Sequence, residues 1–400
     1  MSDLATAPAP ASTQVGSARP RRRLHVGPLL RTVLVVILAV LPLYADQSLL
    51  QTGLFAMAAV VGAIGLTVLV GGAGQLSLGH AFFLAVGAYS YSYYSGASSS
   101  LSAKALGLGL PPVVAAVLAV LTAGLAGLLF SPIASRLRGI YLGVASLALV
   151  FIGTFVYENV RALTGGFNGR AAAPFSLFGF SFTAADPTLF IANVPFGRFE
   201  KLWELFLVLT VLAYVFAHNV LRGRMGRAMQ TMRDSEVAAS VMGVDVRRTK
   251  AGVFVLSSMY AGLAGVMIGL AFGRITPDYF QLPLSIAYLA MIVIGGLGSV
   301  GGAALGAVFV TALPDLLSRY SDSLPFVAAS GTSGYDAGKI NALLYGAAII
   351  VVVLFEPGGL VALGHRLTGR RTARGARPAR SGSTSSLTNP STTPTQEDPA

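Results

Sequence analysis

The sequence predicts an all-α integral membrane protein, a polytopic helical bundle of about eight to ten transmembrane segments. Hydrophobic residues make up 54% of the 400 residues and charged residues only 11%, whereas a soluble globular chain carries about a quarter charged residues. The apolar residues form runs close to the roughly 20 residues that a helix needs to cross a hydrocarbon layer. Arg residues cluster at the ends of these runs, which is the pattern of basic cytosolic loops in membrane proteins.

Nine apolar runs are candidate spans, of which the third is short and the eighth is long and interrupted by glycines. They are Leu29–Ala45, Leu54–Val70, Ala81–Tyr94, Pro111–Phe130, Ile140–Tyr157, Trp203–Leu221, Gly252–Phe272, Leu284–Leu313 and Ile340–Phe355. No small-residue cleavage site follows the first run, so we interpret residues 1–27 as a disordered basic tail and not as a signal peptide.

The basic loops indicate that both termini are cytosolic. A single crossing at Leu284–Leu313 would place the Arg-rich segment that follows the last span outside. We therefore predict that this run is a glycine-broken hairpin of two short helices, so that the last span returns to the cytosol. The membrane domain then covers residues 28–365, and residues 366–400 form a second disordered tail whose Arg run suits anionic lipid head groups.

Several function classes are disfavoured by composition. The chain has no cysteine, which excludes disulfides, thiolate metal sites and cysteine nucleophiles. His80 has no carboxylate close to it in sequence, so no metal site is predicted, and no catalytic cluster of carboxylate, His or Ser residues is found. A net charge of +12 suggests nucleic acid in a soluble protein, but here the Arg residues flank apolar spans, so no nucleic-acid partner is predicted.

The most informative loop covers residues 222–250 and is predicted to contain one amphipathic helix, roughly Gly226–Met242. Its apolar residues recur at helical spacing on one face, with Glu236 in the middle of that face. These residues are Met225, Met229, Met232, Ala239 and Met242. Thioethers adapt to a partner's surface, so the face suits docking, and Gly243 is expected to end the helix. The alternative is an interfacial helix that lies on lipid.

Two further segments combine polar residues or glycines with apolar surroundings. Their side chains and backbone either contact a solute or satisfy a break in a helix, because non-helical backbone at membrane depth must be buried or face a cavity. The candidates for a translocation pathway are Gln75, Ser77, His80, Gly295, Gly296, Gly298 and Ser299. Gly298, Gly302 and Gly306 also lie four residues apart, a spacing that favours close helix packing.

Seven motifs, in this order along the chain, resemble the branched-chain amino-acid permease family of the LivM type. They are GQLSLGHAFFLAVGAY at 74–89, LRGIYLGVASLALVF at 137–151, TGGFNG at 164–169, GRAMQTMRDSEVAASVMGV at 226–244, AGLAGVM at 261–267, MIVIGGLGSVGGAALGA at 291–307 and FEPGGL at 355–360. The chain departs from the family pattern at Gly358, where a basic residue is expected, and at Phe167, where a small polar residue is common.

The resemblance implies the membrane-spanning permease subunit of an ABC importer for branched-chain amino acids in a bacterial cytoplasmic membrane. It implies a second, related permease subunit, two ATP-binding subunits that hold ATP and Mg²⁺, and an extracytoplasmic solute-binding protein. The external-loop candidates in TGGFNG either receive the binding protein or form a plain turn. These candidates are Thr164, Gly165, Gly166 and Asn168.

Under the same resemblance, the 222–250 loop is an EAA-type cytosolic coupling helix that sits in a groove of the ATPase. Glu236 would meet a basic or amide group of that groove, and Arg233, one turn away, could pair with it. The residues assigned to ATPase coupling are Gly226, Met229, Met232, Arg233, Glu236, Ala238, Ala239 and Gly243.

Other functions are less consistent with the sequence. Related permeases carry urea or short amides, and an ion-coupled secondary transporter is the main alternative from another class. Such carriers place charges inside their spans, and no predicted span has a central charge. A channel would need a filter-like segment or a charged ring, which is absent. GYDAGKI at 334–340 lacks the glycine spacing and the hydroxyl of a phosphate-binding loop, so ATP hydrolysis is expected in separate subunits and the chain is not predicted to be an enzyme.

Overall fold

The computed structural model describes residues 26–96, 106–137, 139–177, 179–183, 189–191 and 194–321, with eight further residues between 343 and 360. Almost all of the predicted N-terminal tail, the predicted C-terminal tail, most of the last predicted span and the GYDAGKI segment lie outside the described residues.

The described part is built of helices, joined at one end by short strands. The helices are α1 (Val26–Val40), α2 (Gln47–Leu66, continued by a π-helical turn at Thr67–Gly72), α3 (His80–Ser95), α4 (Pro112–Arg136), α5 (Ile140–Asn159), α6 (Arg161–Thr164), α7 (Arg198–Arg222), α8 (Arg224–Asp234), α9 (Glu236–Val241), α10 (Val246–Phe272), α11 (Leu282–Gly295) and α12 (Val300–Ser321). The strands are β1 (Arg170–Ala171), β2 (Ser176–Leu177), β3 (Phe180–Ser181), β4 (Leu189–Ile191), β5 (Val194–Phe196) and β6 (Arg274–Ile275), paired antiparallel as β1–β6, β2–β3 and β4–β5.

Five of the described helices are long and apolar enough to cross a membrane: α2 with its π-helical turn, α4, α5, α7 and α10. Helices α11 and α12 contribute shorter apolar stretches, and α3 has 16 residues. This architecture confirms the all-α polytopic fold class, and each of the first seven predicted spans overlaps one helix.

The helices run between two ends of the bundle. We call the end that carries α8 and α9 the lower end, and the opposite one the upper end. Helix α10 starts at the lower end with Val246 and ends at Phe272, about 40 Å away at 1.5 Å per residue. Helix α2 runs the other way, because the ring of Phe55 near its start lies 4.5 Å from that of Phe272, while Gly71 at its end contacts Arg233 of α8.

Helix α10 is at the centre of the bundle, and glycines allow its neighbours to approach it closely. A Cβ on Gly265 would lie 1.9 Å from the Leu84 carbonyl oxygen of α3. On the side that faces α4, a Cβ on Gly127 would lie 2.3 Å from the Ser258 hydroxyl oxygen. Without a hydrophobic driving force between helices in lipid, such close contacts are what hold helices together.

The predicted glycine-broken hairpin is present. Helix α11 runs down to Gly295, residues 296–299 turn, and α12 runs back up from Val300. Gly296 and Gly298 take φ values of 110° and 84°, which side chains with a Cβ rarely adopt. The hairpin therefore keeps both of its outer ends at the upper end. Gly359, one of the few described residues beyond Ser321, lies against the Gly296 backbone at the lower end.

The glycine ridge proposed for α12 is correct for two of its three members. A Cβ on Gly306 would lie 2.0 Å from the Met291 carbonyl oxygen, and the Gly302 carbonyl oxygen occupies the space beside Gly295. These two glycines pack α12 against α11. Gly298 is not part of the ridge, because its positive φ places it in the turn before α12.

We expect Gly265→Ala to destabilise the bundle, because its Cβ would displace backbone of α3, and overpacking of this kind costs about 1–3 kcal/mol. Gly301→Ala is the matched control: its Cβ would meet only the Tyr214 hydroxyl oxygen at 3.6 Å, and a helical Gly→Ala change gains up to about 1 kcal/mol. Thermal unfolding in detergent should rank the three proteins in the order Gly301→Ala, wild type, Gly265→Ala. A Gly265→Ala protein as stable as wild type would contradict the packing.

Candidate functional site

We call residues 222–250 the lower-end segment. It does not form the single helix that its periodicity predicts. Helix α8 ends at Asp234, Ser235 is extended with φ −160° and ψ 118°, and α9 starts at Glu236. The Ser235 hydroxyl accepts a hydrogen bond of 3.2 Å from the Ala238 amide, so it caps α9. Gly243, with φ +82°, follows α9 as expected for a helix-ending glycine.

The methionine face points mostly into the protein. Met229 and Met232 are buried, and Met229 contacts Gly72 at the end of α2. Gly226 is buried as well, and a Cβ there would lie 1.9 Å from the Leu221 carbonyl oxygen. These three residues are therefore covered by the chain itself and form no exposed face, and their role in ATPase coupling stays a prediction.

A different surface of α9 is exposed. Val237 is 71% exposed, Val241 83% and Met242 74%, and Ala238 lies between them and is exposed too, whereas Ala239 is buried. We call Val237, Ala238, Val241 and Met242 the α9 patch. Apolar side chains at the end of a bundle, next to the basic residues of the loop, are the feature of this segment that is available to a partner.

Glu236 and Arg233 contact different residues in the described structure. The Glu236 carboxylate forms a salt bridge of 2.6 Å with Lys250 of α10, whose side chain is only 4% exposed. Arg233 instead donates from Nη1 to the Gly71 carbonyl oxygen. The salt bridge of Glu236 joins α9 to α10, and its predicted contact with a partner stays a prediction.

Gln75, Ser77 and His80 all lie in or next to the non-helical link between α2 and α3, and all three are buried. Neither amide atom of Gln75 nor Nε2 of His80 has a hydrogen-bond partner in the described part of the chain. The His80 ring lies 4.9 Å from the Tyr288 ring of α11. The sequence therefore placed these side chains correctly at a helix break inside the bundle.

Serine hydroxyls from two other helices close this break. The Leu78 amide donates to the Ser146 hydroxyl of α5 at 2.8 Å, and the Ala81 amide donates to the Ser285 hydroxyl of α11 at 2.9 Å. These bonds satisfy amides that no helical carbonyl reaches. Neither serine could be singled out from the sequence, because both lie in ordinary apolar helix patterns.

The second break, between α11 and α12, meets the first one at the lower end. A Cβ on Gly71 would lie 2.4 Å from the Gly298 nitrogen, so the two chain segments are in backbone contact. Arg233 lies against Gly74 and Gly298 as well as Gly71. We call this meeting point of the two breaks with Arg233 the glycine junction. Ser299 accepts from the Gly302 amide at 3.1 Å and so caps α12.

The TGGFNG segment forms a tight turn at the upper end, as one of the two interpretations held. Gly165 and Gly166 take positive φ values, and the Thr164 hydroxyl lies 2.6 Å from the Tyr157 carbonyl oxygen. The Asn168 carbonyl oxygen accepts from Arg274 at 3.0 Å. The turn thereby holds the Arg274 side chain in place, although Arg274 lies more than a hundred residues later in the chain.

Arg170, directly after this turn, was missed by the sequence analysis. It is buried and donates to the Leu106 and Leu163 carbonyl oxygens at 2.6 and 3.1 Å, with its guanidinium 5.7 Å from the centre of the Tyr93 ring. Burial lowers the pKa of Arg170, yet a guanidinium keeps its charge in proteins. Arg170 thus ties α3, α6 and the segment before α4 together. Within the described ranges, no three His, Asp or Glu side chains form a group that could hold a metal ion.

One family model covers a range of residues that contains both helix breaks, the lower-end segment and the TGGFNG turn. The model of "Branched-chain amino acid transport system / permease component" matches residues 48–353. The chain belongs to this family. It is a multi-pass membrane protein and a member of a family of transport permeases.

Named relatives agree with the match. The chain is 28% identical to the high-affinity branched-chain amino acid transport system permease protein LivM of Escherichia coli (strain K12) over 343 residues, which cover 83% of this chain and 74% of that protein. LivM of Salmonella typhimurium is also 28% identical, over 82% of this chain and 73% of its own length. The permease protein LivH of the same organism is 26% identical over 54% of this chain and 63% of its own length. No solved structure matches the chain.

We expect Glu236→Gln to loosen α9, because it leaves the buried Lys250 ammonium without its carboxylate. The loss should be about 2 kcal/mol, below the cost for a fully buried pair since Glu236 is partly exposed. Trypsin should then cut after Arg247 and Arg248 about tenfold faster or more, because cleavage follows local opening.

The charge swap provides the control for this prediction. Glu236→Lys alone should open the segment further, and Glu236→Lys combined with Lys250→Glu should restore slow cleavage. If the double variant is cut as fast as the single one, the salt bridge does not hold α9 in place.

Proposed function

We propose that this chain is the membrane-spanning subunit of an ATP-driven ABC importer that moves branched-chain amino acids by alternating access. It would act with a second, related permease, two ATP-binding subunits that hold ATP and Mg²⁺, and an extracytoplasmic binding protein. The observation that carries the proposal is the α9 patch, an exposed apolar surface joined by specific side chains to the centre of the bundle.

Two connections lead from the lower-end segment into the bundle. The salt bridge between Glu236 and Lys250 joins α9 to α10, the central helix. The Arg233 hydrogen bond joins α8 to Gly71 in the glycine junction. A partner that moves α9 and α8 by closing on ATP would therefore move the central helix and both helix breaks.

The glycine junction suits the role of a gate on the lower side. It is built of non-helical backbone inside the bundle, which transporters use where helices must change arrangement or face a cavity. Gln75 and His80 lie just above it with unpartnered polar atoms in the described structure. We propose that these residues, with Ser77 and the Gly295–Ser299 turn, border the solute pathway.

The solute assignment follows the names of the relatives, which are branched-chain amino acid transport permeases. Urea or a short amide would be carried by the same arrangement if the binding protein delivered it. An ion-coupled carrier is less well supported. In the described spans, Asp and Glu lie outside the middle of the helices, such as Glu158 in the last turn of α5 and Glu204 in the second turn of α7, whereas ion coupling relies on charges within the spans.

Affinity purification of the tagged chain in mild detergent tests the proposal. We expect ATP-binding subunits and a second permease in the eluate, with ATPase activity. Val241→Glu should remove the ATP-binding subunits, because a charge on the α9 patch must lose its water on docking. Ser240→Glu, on the polar side of the same helix, is the matched control and should retain them.

An eluate with a single inactive species across several detergents would contradict the importer proposal. Transport along ion gradients by that single species would then establish a secondary carrier. Equal recovery of the ATP-binding subunits with Val241→Glu and wild type would leave the importer standing and place docking elsewhere.

Arg233→Gln should uncouple ATP hydrolysis from transport. The variant loses the charged hydrogen bond to Gly71, worth about tenfold in an equilibrium, so movement of α8 would no longer reach the glycine junction. We expect about tenfold more ATP hydrolysed per leucine taken up in proteoliposomes. Arg227→Gln, an exposed position one to two turns earlier on α8, should leave the ratio unchanged.

The ratio separates coupling from folding. A variant that merely folds poorly would lower ATP hydrolysis and uptake in proportion. An unchanged ratio in Arg233→Gln would show that this hydrogen bond does not carry the coupling.

A further inference from the structure

A cavity of about 310 Å³ opens at the upper end, lined by the end of α10 and by the segment that leads to α11. Its size lies at the lower limit of the roughly 300–1,000 Å³ that ligand pockets have. Most of its wall is apolar, and two opposite charges also line it. The charged residues are Arg274 and Asp278, and the apolar wall includes Ile268, Phe272, Ile275, Tyr279 and Phe280.

Arg274 is held at the cavity by the TGGFNG turn. Its strand β6 pairs with β1 in the register Ala171 with Arg274, and its Nη1 donates to the Asn168 carbonyl oxygen at 3.0 Å. Gly169 allows this approach, because a Cβ there would lie 2.0 Å from the Ile275 carbonyl oxygen. One guanidinium nitrogen thus fixes the side chain, and the others remain as donors.

Asp278 lies four residues later, in the short 3₁₀ turn of residues 277–280. Its carboxylate accepts a weak hydrogen bond from Gln281 at 3.4 Å. Arg274 and Asp278 form no salt bridge with each other in the described structure. The cavity therefore combines an apolar wall with one cation, which the turn holds in place, and one anion, and the two charges do not pair with each other in the described structure.

From this arrangement we infer that the cavity binds a free zwitterionic amino acid with an apolar side chain. The carboxylate of the solute contacts Arg274, the ammonium group contacts Asp278, and the side chain contacts the aromatic and aliphatic wall. The inference rests on the proposed function, and it names the site where this subunit receives its solute. The cavity lies at the opposite end of α10 from the α9 patch, as a receiving site must.

A lipid head group such as phosphatidylethanolamine offers the same chemistry, an anion and an ammonium group close together. Basic residues at a membrane surface commonly contact lipid phosphate. The carboxylate of Asp278 and the small volume of the cavity favour the smaller solute, because the acyl chains of a lipid would lie outside the cavity. The experiment distinguishes the two occupants.

Cysteine accessibility provides the test, since the chain has no cysteine of its own. Thr276, which lines the cavity, is replaced by Cys, and the purified chain in lipid nanodiscs is labelled with a methanethiosulfonate reagent. Millimolar leucine should slow the labelling. Isocaproate, which lacks the ammonium group, and isoamylamine, which lacks the carboxylate, should protect much less.

Gln51→Cys is the matched control. Gln51 lines a separate cavity at the upper end, between α2 and α12, and its labelling should not respond to leucine. In the Thr276→Cys background, Arg274→Gln and Asp278→Asn should each raise the protecting leucine concentration about tenfold or more, the effect of losing one charged hydrogen bond. Arg274→Lys keeps a cation and a donor for Asn168, so its effect should be smaller.

Three results would overturn the inference. Labelling of Thr276→Cys could be indifferent to leucine, both single-charge analogues could protect as well as leucine, or protection could extend to Gln51→Cys. Labelling that depends on phosphatidylethanolamine and not on leucine would assign the cavity to lipid and overturn the inference too.

Leucine uptake by the same variants in cells separates the receiving site from the proposed function. ATP-driven uptake without protection would refute the receiving site alone, and absent uptake by the wild type would refute the proposed function.

Discussion

Backbone amides and carbonyls inside a hydrocarbon layer have no water to bond, so every interruption of a helix needs a partner from the protein itself. In the described part of the chain, two such breaks lie inside the bundle, after Gly72 and after Gly295. Hydroxyls of Ser146 and Ser285 satisfy the first break from neighbouring helices, and Ser299 caps the helix after the second. The positions of α3, α5, α11 and α12 all follow from how these breaks are closed.

The sequence predicted the parts of the fold that depend on length and on the distribution of charge. Apolar runs near 20 residues can only be spans, so the first seven predicted segments overlap helices. The hairpin of α11 and α12 followed from the Arg-rich segment after the last span, which has to return to the side of the other basic loops. Glycines alone would not have decided it, because membrane helices also contain them as packing residues.

At the lower end, the sequence predicted a helical segment but neither its break nor which of its side chains are buried. Periodicity shows that Met229 and Met232 share a face, but not which way the face points. The packing decides that, since the end of α2 lies on this side. The apolar periodicity also continues through Ser235, so it does not reveal that one helix ends there and that the Ser235 hydroxyl caps the next one. Glu236 has a partner within reach on α10, Lys250, which is brought close only after the chain has turned at Gly243.

The upper cavity could not have been predicted, because it depends on two-residue strands. Strands β1 and β6 are separated by about a hundred positions and have no periodicity to detect, so Arg274 looked like an ordinary basic residue at the end of a span. Their pairing depends on Gly169, where any side chain would collide with the Ile275 carbonyl. In the proposed cycle, α10 joins the two ends, since its first turn holds Lys250 and its last residue borders Arg274. A rotation of α10 driven from α9 would therefore change the cavity wall at Ile268 and Phe272, while Arg274 stays attached to the turn at Asn168. The apolar wall would then move away from Arg274, which holds the carboxylate of the solute, and the solute would be released.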